Sequence, residues 1–426
     1  MIDFLRSRFF KNASIYTVSD IINKLVPFIL LPVLTRYLSP SDYGIISIFA
    51  VFTSILGVFI SLETHGAISV KFFKISREKL KIYIANVLLI VAVTTSLVLL
   101  IVIIFHSYIT ELLALPTEWL IIGVFVTVLI FFTTINLILW QSEHKPIPLG
   151  IYQISESIFN LSLSLVLIVG FGMGWRGRLI AISIAALLFG FLSFTLLFKR
   201  NYLNLKLSKP YLKDALKFGV PLLPHALSTW VRTGIDRVFL TMLISTTATG
   251  LYTVGFQIAS VIMVITTAFN KAYTPFLFEK LKDITLPQKK ILVKYGYLYF
   301  LGLLLLAAGL SLSGPYIVNI FLGKEFTESQ EYITWFAFSF AFYGMYSMLV
   351  NYVLYTQKTI YLSYVTFSIG LLHVGLSYLF ITYNGTIGAV QASAIVSFIT
   401  FIAVWWLSNR LLPMPWLELK SKIHEY

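Results

Sequence analysis

Residues 44–61 read GIISIFAVFTSILGVFIS, and residues 250–267 read GLYTVGFQIASVIMVITT. Laid over one another without a gap, they put Gly44 on Gly250, Ser54 on Ser260 and Val58 on Val264, at an offset of 206 positions. Leu34-Thr35 and Leu240-Thr241 precede the two stretches in the same register. A second gapless match, at an offset of 211, lays Gly174-Trp175-Arg176-Gly177 over Gly385-Thr386-Ile387-Gly388 and Ala181 over Ala392. Shared apolar composition alone makes any two membrane helices look somewhat alike. Two matches at nearly half of a 426-residue chain favour an internal duplication instead.

Composition says where such a duplicated chain resides. Hydrophobic residues make up 58% and charged residues 12%, half the charged share of an ordinary soluble domain, so a cytosolic enzyme is excluded. Cysteine is absent, which removes disulfides, thiolate metal sites and cysteine nucleophiles together. A helix needs about 20 apolar residues to cross a hydrocarbon core. Windows of that kind fall at about 14–35, 43–63, 82–106, 119–140, 148–171 and 178–198, and again at about 217–243, 248–270, 292–313, 331–356, 360–382 and 387–408. The expected fold is therefore an all-α integral membrane protein of about twelve transmembrane helices. Residues 1–198 form one six-helix lobe, 199–216 a cytoplasmic linker, 217–408 a second six-helix lobe and 409–426 a cytoplasmic tail. Six spans per copy keep both copies in the same orientation, which implies a pseudo-two-fold axis along the membrane normal and a cleft between lobes.

Charge placement sets the orientation. The net charge is +14. With both termini in the cytoplasm, Lys and Arg fall on the inner side about six times as often as on the outer, as the positive-inside rule requires. The basic, amphipathic start MIDFLRSRFFKN lacks an Ala-x-Ala-type site and reads as a retained interfacial segment. All expected outer connections are short, which counts against a membrane-embedded polymerase or glycosyltransferase needing a large outer loop. The basic inner loops Lys71–Lys81 and Lys271–Lys290 are accounted for by topology, although they would also attract anionic headgroups.

Several local sequences carry a resemblance: LPVLTRYLSPSDYGIISIF from Leu31, FGVPLLPHALSTWVRTGIDRVFL from Phe218, GLYTVGFQIASV from Gly250 and GMGWRGRLIA from Gly172. With the two-half layout, the whole chain resembles the Wzx-type O-antigen flippases, of the superfamily that also holds the MATE multidrug exporters. That resemblance implies a protein of the bacterial inner membrane. Its implied cargo is an undecaprenyl-pyrophosphate-linked oligosaccharide, moved from the cytoplasmic to the periplasmic leaflet by alternating access. It also implies an H+ or Na+ counter-ion and neighbouring polysaccharide-assembly membrane proteins as partners, and no enzymatic step. A MATE-like exporter of small molecules is the alternative. The lipid II flippases of the same superfamily carry two further spans that this chain does not show.

Charged groups inside spans are the candidate site, because each costs about 2.5–3.5 kcal/mol at the bilayer centre. Asp20 and Lys24 in span 1 are one turn apart and share a face. In span 7, His225, Thr229, Arg232 and Asp236 lie along one stripe, with Arg237 rotated off it. Spans 1 and 7 are equivalent under the duplication and are expected to face each other. Lys24, Arg232 and Arg237 are the expected donors to a pyrophosphate, with Asp20 and Asp236 as their charge partners in the central cavity. The same spacing also fits neutralising pairs within each helix that hold the lobes together. Glu156 in span 5 has no basic residue within a turn and His373 sits mid-span, so both are candidates for proton or ion coupling.

Energetics agree with a carrier. Moving two negative charges outward across an inside-negative membrane is favourable by about 4–5 kcal/mol per 100 mV. No G-x-x-x-x-G-K-[ST] phosphate loop occurs in the chain, and no cofactor, metal or nucleic acid is expected. The expected partners are the lipid-linked oligosaccharide and membrane lipid.

Overall fold

A computed structural model describes residues 28–282 and 284–416, and among these the regular structure is helical throughout, with no strand. A first short apolar helix, α1, is Phe28–Tyr37. It is followed by α2 (Pro40–Ser61), α3 (His65–Phe72), α4 (Arg77–Ile104), α5 (His106–Leu113), α6 (Thr117–Ser142), α7 (Pro146–Leu165) and α8 (Gly174–Lys199). Next come α9 (Lys209–Gly219), α10 (Leu223–Leu243), α11 (Thr246–Ala259) and α12 (Val261–Leu281). The last four are α13 (Leu286–Phe321), α14 (Gln330–Tyr355), α15 (Thr359–Asn384) and α16 (Thr386–Leu411).

Local chemistry explains the boundaries. The Ser39 hydroxyl accepts from the Asp42 backbone N–H at 3.1 Å, the Asp42 carboxylate accepts from the Ser39 N–H at 3.0 Å, and Pro40 occupies the first turn. This capping box starts α2 after a residue already in extended conformation. Thr285 and Gln288 start α13 in the same way.

Ten helices among the described residues are long and apolar enough to cross a membrane. Two of the twelve expected spans are not among them. Only residues from Phe28 of span 1 lie in the described part, as the short α1. Span 7 is present as α10, 21 residues long, but it carries Arg232, Asp236 and Arg237. The expected span 248–270 is broken at Ser260 into α11 and α12, and Pro275 lies inside α12.

The chain forms two compact units, one running to Leu251 and the other from Tyr252. In the first, α2 packs on α4 and α6, α6 on α8, and α7 on α8. Its core is a stripe on α2 (Ile48, Phe52, Leu56, Ile60) against Tyr83, Ile84 and Val87 of α4 and Leu120, Val124, Ile135 and Leu139 of α6. These residues recur every three to four positions, as a helix–helix seam requires. Truncating one of the fully buried rings, such as Phe49 or Tyr83, would cost about 3–5 kcal/mol. In the second unit, α14 packs on α12, α13 and α16, and α15 on α16. There Phe300, Phe401, Trp405 and Trp416 form a continuous aromatic cluster with centroids 5.4–6.2 Å apart.

The region expected to be a linker is ordered and clamped to the first unit. Lys71 Nζ lies 2.8 Å from Asp214 of α9, and the Tyr83 hydroxyl donates to the same carboxylate at 2.9 Å. The Asn86 side chain donates to the Lys206 carbonyl and accepts from the Ser208 N–H, both at 2.9 Å. Burial works to raise the Asp214 carboxyl, but the hydrogen bonds from Lys71 and Tyr83, with the charges of Lys71 and Lys217, outweigh it and hold it below its ordinary range. α10 then packs on α2 and α5 within the same unit.

Candidate functional site

One end of the first unit gathers the C-termini of α2, α6 and α8 and the N-termini of α4 and α7. Between α2, α3 and α6 at that end lies a partly open cavity of about 410 Å³. Its wall carries the hydroxyls of Thr53, Ser54, Ser61, Thr127 and Thr134, with Glu63 and His65 at the rim. α2 is closed there by two successive left-handed residues that are not glycine, Leu62 (φ 45°) and Glu63 (φ 56°). Such residues cost about 1–2 kcal/mol each, and strain of this kind collects at functional positions. The turn throws Glu63 towards the cavity and brings its carboxylate to 3.9 Å from His65 Nε2. Two further contacts fix the rim: the Glu63 N–H donates to Ser61 Oγ at 3.1 Å, and the His65 ring stands edge-on to Phe131 at 6.3 Å.

The polar groups behind this end are tied into the core. Glu143, between α6 and α7, pairs with Arg200 at 2.8 Å and Lys145 at 3.0 Å, and it accepts from the Tyr202 hydroxyl. Burial acts to raise its pKa, but the bonds from Tyr202, Lys145 and Arg200 prevail, and the carboxyl stays below its usual range. Burial and the hydrogen bond to Glu143 push the Tyr202 phenol up to about 12. Arg200 also donates to Asn136 Oδ1 at 2.8 Å, and Asn136, fully buried, donates to the Ser193 carbonyl at 2.8 Å. Tyr152 of α7 bonds to Ser193 Oγ and the Phe189 carbonyl, both at 2.5 Å. Glu156 lies one turn beyond Tyr152 on the same face of α7, half-buried.

The expected site residues distribute as follows. Asp20 and Lys24 lie outside the described residues, so their juxtaposition with span 7 has no geometry here. Arg232, Asp236 and Arg237 are all on α10 in the first unit. Asp236 and Arg237 are both buried, at 3% and 9% exposure, while Arg232 is half-buried and His225 exposed. Arg237, rotated off the stripe of Asp236, is buried as well. Arg237 donates to the Thr233 carbonyl one turn back. The helix is pinned by Trp230, whose indole N–H donates to the Val51 carbonyl of α2 at 3.1 Å. His373 is buried on α15 in the second unit. Sequence reading passed over the Glu63–His65 rim and the Glu143–Arg200–Tyr202 network. The available signal was an acidic and an imidazole side chain two positions apart directly after an apolar span, with no glycine to make the turn.

Among the described residues no three His, Cys, Asp or Glu side chains come together in a way that could hold a metal ion. The arrangement offers a partly open pocket walled by hydroxyls, with Glu63 and His65 at its edge.

The model of the family described as "Polysaccharide biosynthesis protein" matches residues 9–280. The Lsg locus putative protein 1 of Haemophilus influenzae is 28% identical over 409 residues, covering 92% of this chain and 98% of that protein. Among solved structures, the lipid II flippase MurJ in an inward closed conformation superposes with a TM-score of 0.76 at 15% identity, over 92% of this chain and 87% of that one. An inward-facing multidrug resistance MATE family transporter gives 0.68 at 15% identity, over 91% and 95%. The fold is thus the MATE-like helical fold. By its sequence, the chain belongs to the polysaccharide biosynthesis protein family.

Proposed function

We propose that this protein is a flippase for lipid-linked oligosaccharides, carrying undecaprenyl-pyrophosphate-linked repeat units of O-antigen or a related polysaccharide from the cytoplasmic to the periplasmic leaflet. In this reading it sits in the bacterial inner membrane with twelve spans and both termini in the cytoplasm, and performs no bond-making step. The observation that carries the reading is membership of the polysaccharide biosynthesis family in a chain that has, among the described residues, ten helices long and apolar enough to cross a membrane. A polysaccharide whose subunits are built on a lipid needs a carrier for them, and a helical bundle of this kind offers nothing else as directly.

Lys24, Arg232 and Arg237 take the pyrophosphate, since confined guanidinium and ammonium groups are the natural partners of phosphoryl oxygens. Asp20 and Asp236 compensate those cations in the empty state. Glu156 and His373 are the groups assigned to H+ or Na+ coupling that returns the empty carrier. Deleting the gene in its host tests the reading. Lipid-linked repeat units accumulate on the cytoplasmic leaflet and surface polysaccharide falls. Unchanged polysaccharide with a new sensitivity to cationic drugs would favour the exporter instead.

A further inference from the structure

The hydroxyls around the 410 Å³ cavity share one feature that decides what it can hold. Each of four spends its hydrogen on its own helix: Thr53 Oγ1 donates to the Phe49 carbonyl at 3.0 Å, Ser54 to Val51 at 2.7 Å, Thr127 to Gly123 at 2.8 Å and Thr134 to Ile130 at 3.0 Å. What these oxygens present outward is lone pairs, and a hydroxyl can accept two bonds besides the one it donates. Glu63 adds a carboxylate, which only accepts when ionised. The His65 ring nitrogen Nε2 stands 3.9 Å from that carboxylate, beyond hydrogen-bond reach. The wall is therefore rich in acceptors, with the His65 ring as a donor at its edge. A phosphate, itself all acceptor, meets oxygen lone pairs along most of this wall and the Glu63 carboxylate beside them. A sugar ring, with several hydroxyl hydrogens and an apolar face, has partners on every side and the Phe131 ring beneath it. The volume lies in the range of about 300–1,000 Å³ typical of ligand pockets.

We propose that this cavity is the sugar subsite of the carrier. It holds one or two neutral, hydroxyl-donating sugar residues of the cargo and disfavours a uronic acid at that place, with Glu63 as the discriminating group. The proposal rests on the flippase reading and goes further, since it separates the sugar from the pyrophosphate and gives the pocket a selectivity.

The test uses the full-length protein in nanodiscs and three lipids: polyprenyl pyrophosphate, the same lipid carrying a neutral N-acetylhexosamine disaccharide, and the same carrying a disaccharide with a uronic acid. Expected is binding of the neutral glycolipid about tenfold tighter than of the bare lipid, the size of one net hydrogen bond. The uronic-acid lipid gains little. Glu63→Gln, which keeps an acceptor and removes the charge, narrows the gap between the two glycolipids, and Thr127→Val lowers the gain from the neutral sugar without weakening the bare lipid. Equal binding of all three lipids to the unaltered protein overturns the sugar subsite and leaves the flippase reading standing. Binding of none overturns both. Glu63→Gln that retains the full discrimination overturns the role given to Glu63.

Discussion

Gly44 and Gly250 stand on opposite sides of one helix crossing and are held there by reciprocal contacts. A Cβ on Gly44 would lie 1.9 Å from the Thr246 carbonyl oxygen, and a Cβ on Gly250 would lie 1.8 Å from the Pro40 carbonyl oxygen. Pro40 and Thr246 are themselves separated by the same 206 positions as the two glycines. The crossing therefore maps onto itself when the two repeats are exchanged, as an isologous contact does. The contact thus recurs at the offset of the sequence match, and glycine is required at both places because backbone meets backbone.

Alanine at either glycine should cost about 1–3 kcal/mol or more, since the obstructing atoms are main chain and cannot rotate away. Gly57→Ala is the control: its Cβ would meet Thr127 at 3.9 Å, an ordinary contact. Thermal unfolding of the detergent-solubilised protein should show Gly44→Ala and Gly250→Ala melting well below the parent and Gly57→Ala close to it. A Gly44→Ala protein as stable as the parent would mean that the two helices do not approach this closely.

Glu143 gives the fold an acid limb. Its pKa is depressed in the folded protein, so the stability it contributes is present above the unfolded value of about 4.3 and is lost as pH falls through the lower folded value. Glu143→Gln should flatten stability in that acid range. Arg200→Ala should cost about 1.5–3 kcal/mol near neutral pH, because it strips a hydrogen-bonded cation from Glu143 and a donor from buried Asn136. Denaturation curves at pH 7 and below pH 4 check both.

Asp214→Asn should loosen the strap that ties α9 to α3 and α4. The carboxylate is 41% exposed, so after solvent screening the loss in global stability is only about 1 kcal/mol or less. The readout is local: limited proteolysis should cut the stretch 200–208 faster than in the parent while the melting temperature barely moves. Tyr83→Phe, which removes the other donor, should act in the same direction.

Arg232→Gln should cut surface polysaccharide several-fold with the protein still present in the membrane at parental level, if its guanidinium meets the pyrophosphate. Glu156→Gln should alter the pH dependence of export. Quantifying polymer and membrane-inserted protein in the same cells, across external pH, separates loss of transport from loss of protein.

Much of this was legible in one chain. Apolar windows located the ten long helices, because hydropathy over about 20 residues is a strong signal in lipid. The match of the Gly44 and Gly250 segments was visible in the sequence for the same reason that the crossing works: few residues besides glycine allow such an approach. Less visible was α10. Its Arg232, Asp236 and Arg237 read as charges within a span, but how deeply Asp236 and Arg237 are buried depends on neighbours that no periodicity reports. The Glu63–His65 rim was hidden for another reason. It depends on two left-handed residues without a glycine, and the torsions of Leu62 and Glu63 are imposed by their surroundings, not by their own preference. The anchor of α9 was not legible because Lys71 and Asp214 are 143 positions apart.

Reconstitution tests the central claim most directly. Purified protein is placed in vesicles containing a fluorescent undecaprenyl-pyrophosphate disaccharide in both leaflets, and a membrane-impermeant reagent destroys the outer-leaflet label. With the protein present, the account predicts loss of nearly all the fluorescence as inner lipid is carried outward, and a stop at about half in vesicles without it. Protection of the inner half in vesicles containing folded protein, with an imposed potential or ion gradient of either sign, would contradict it.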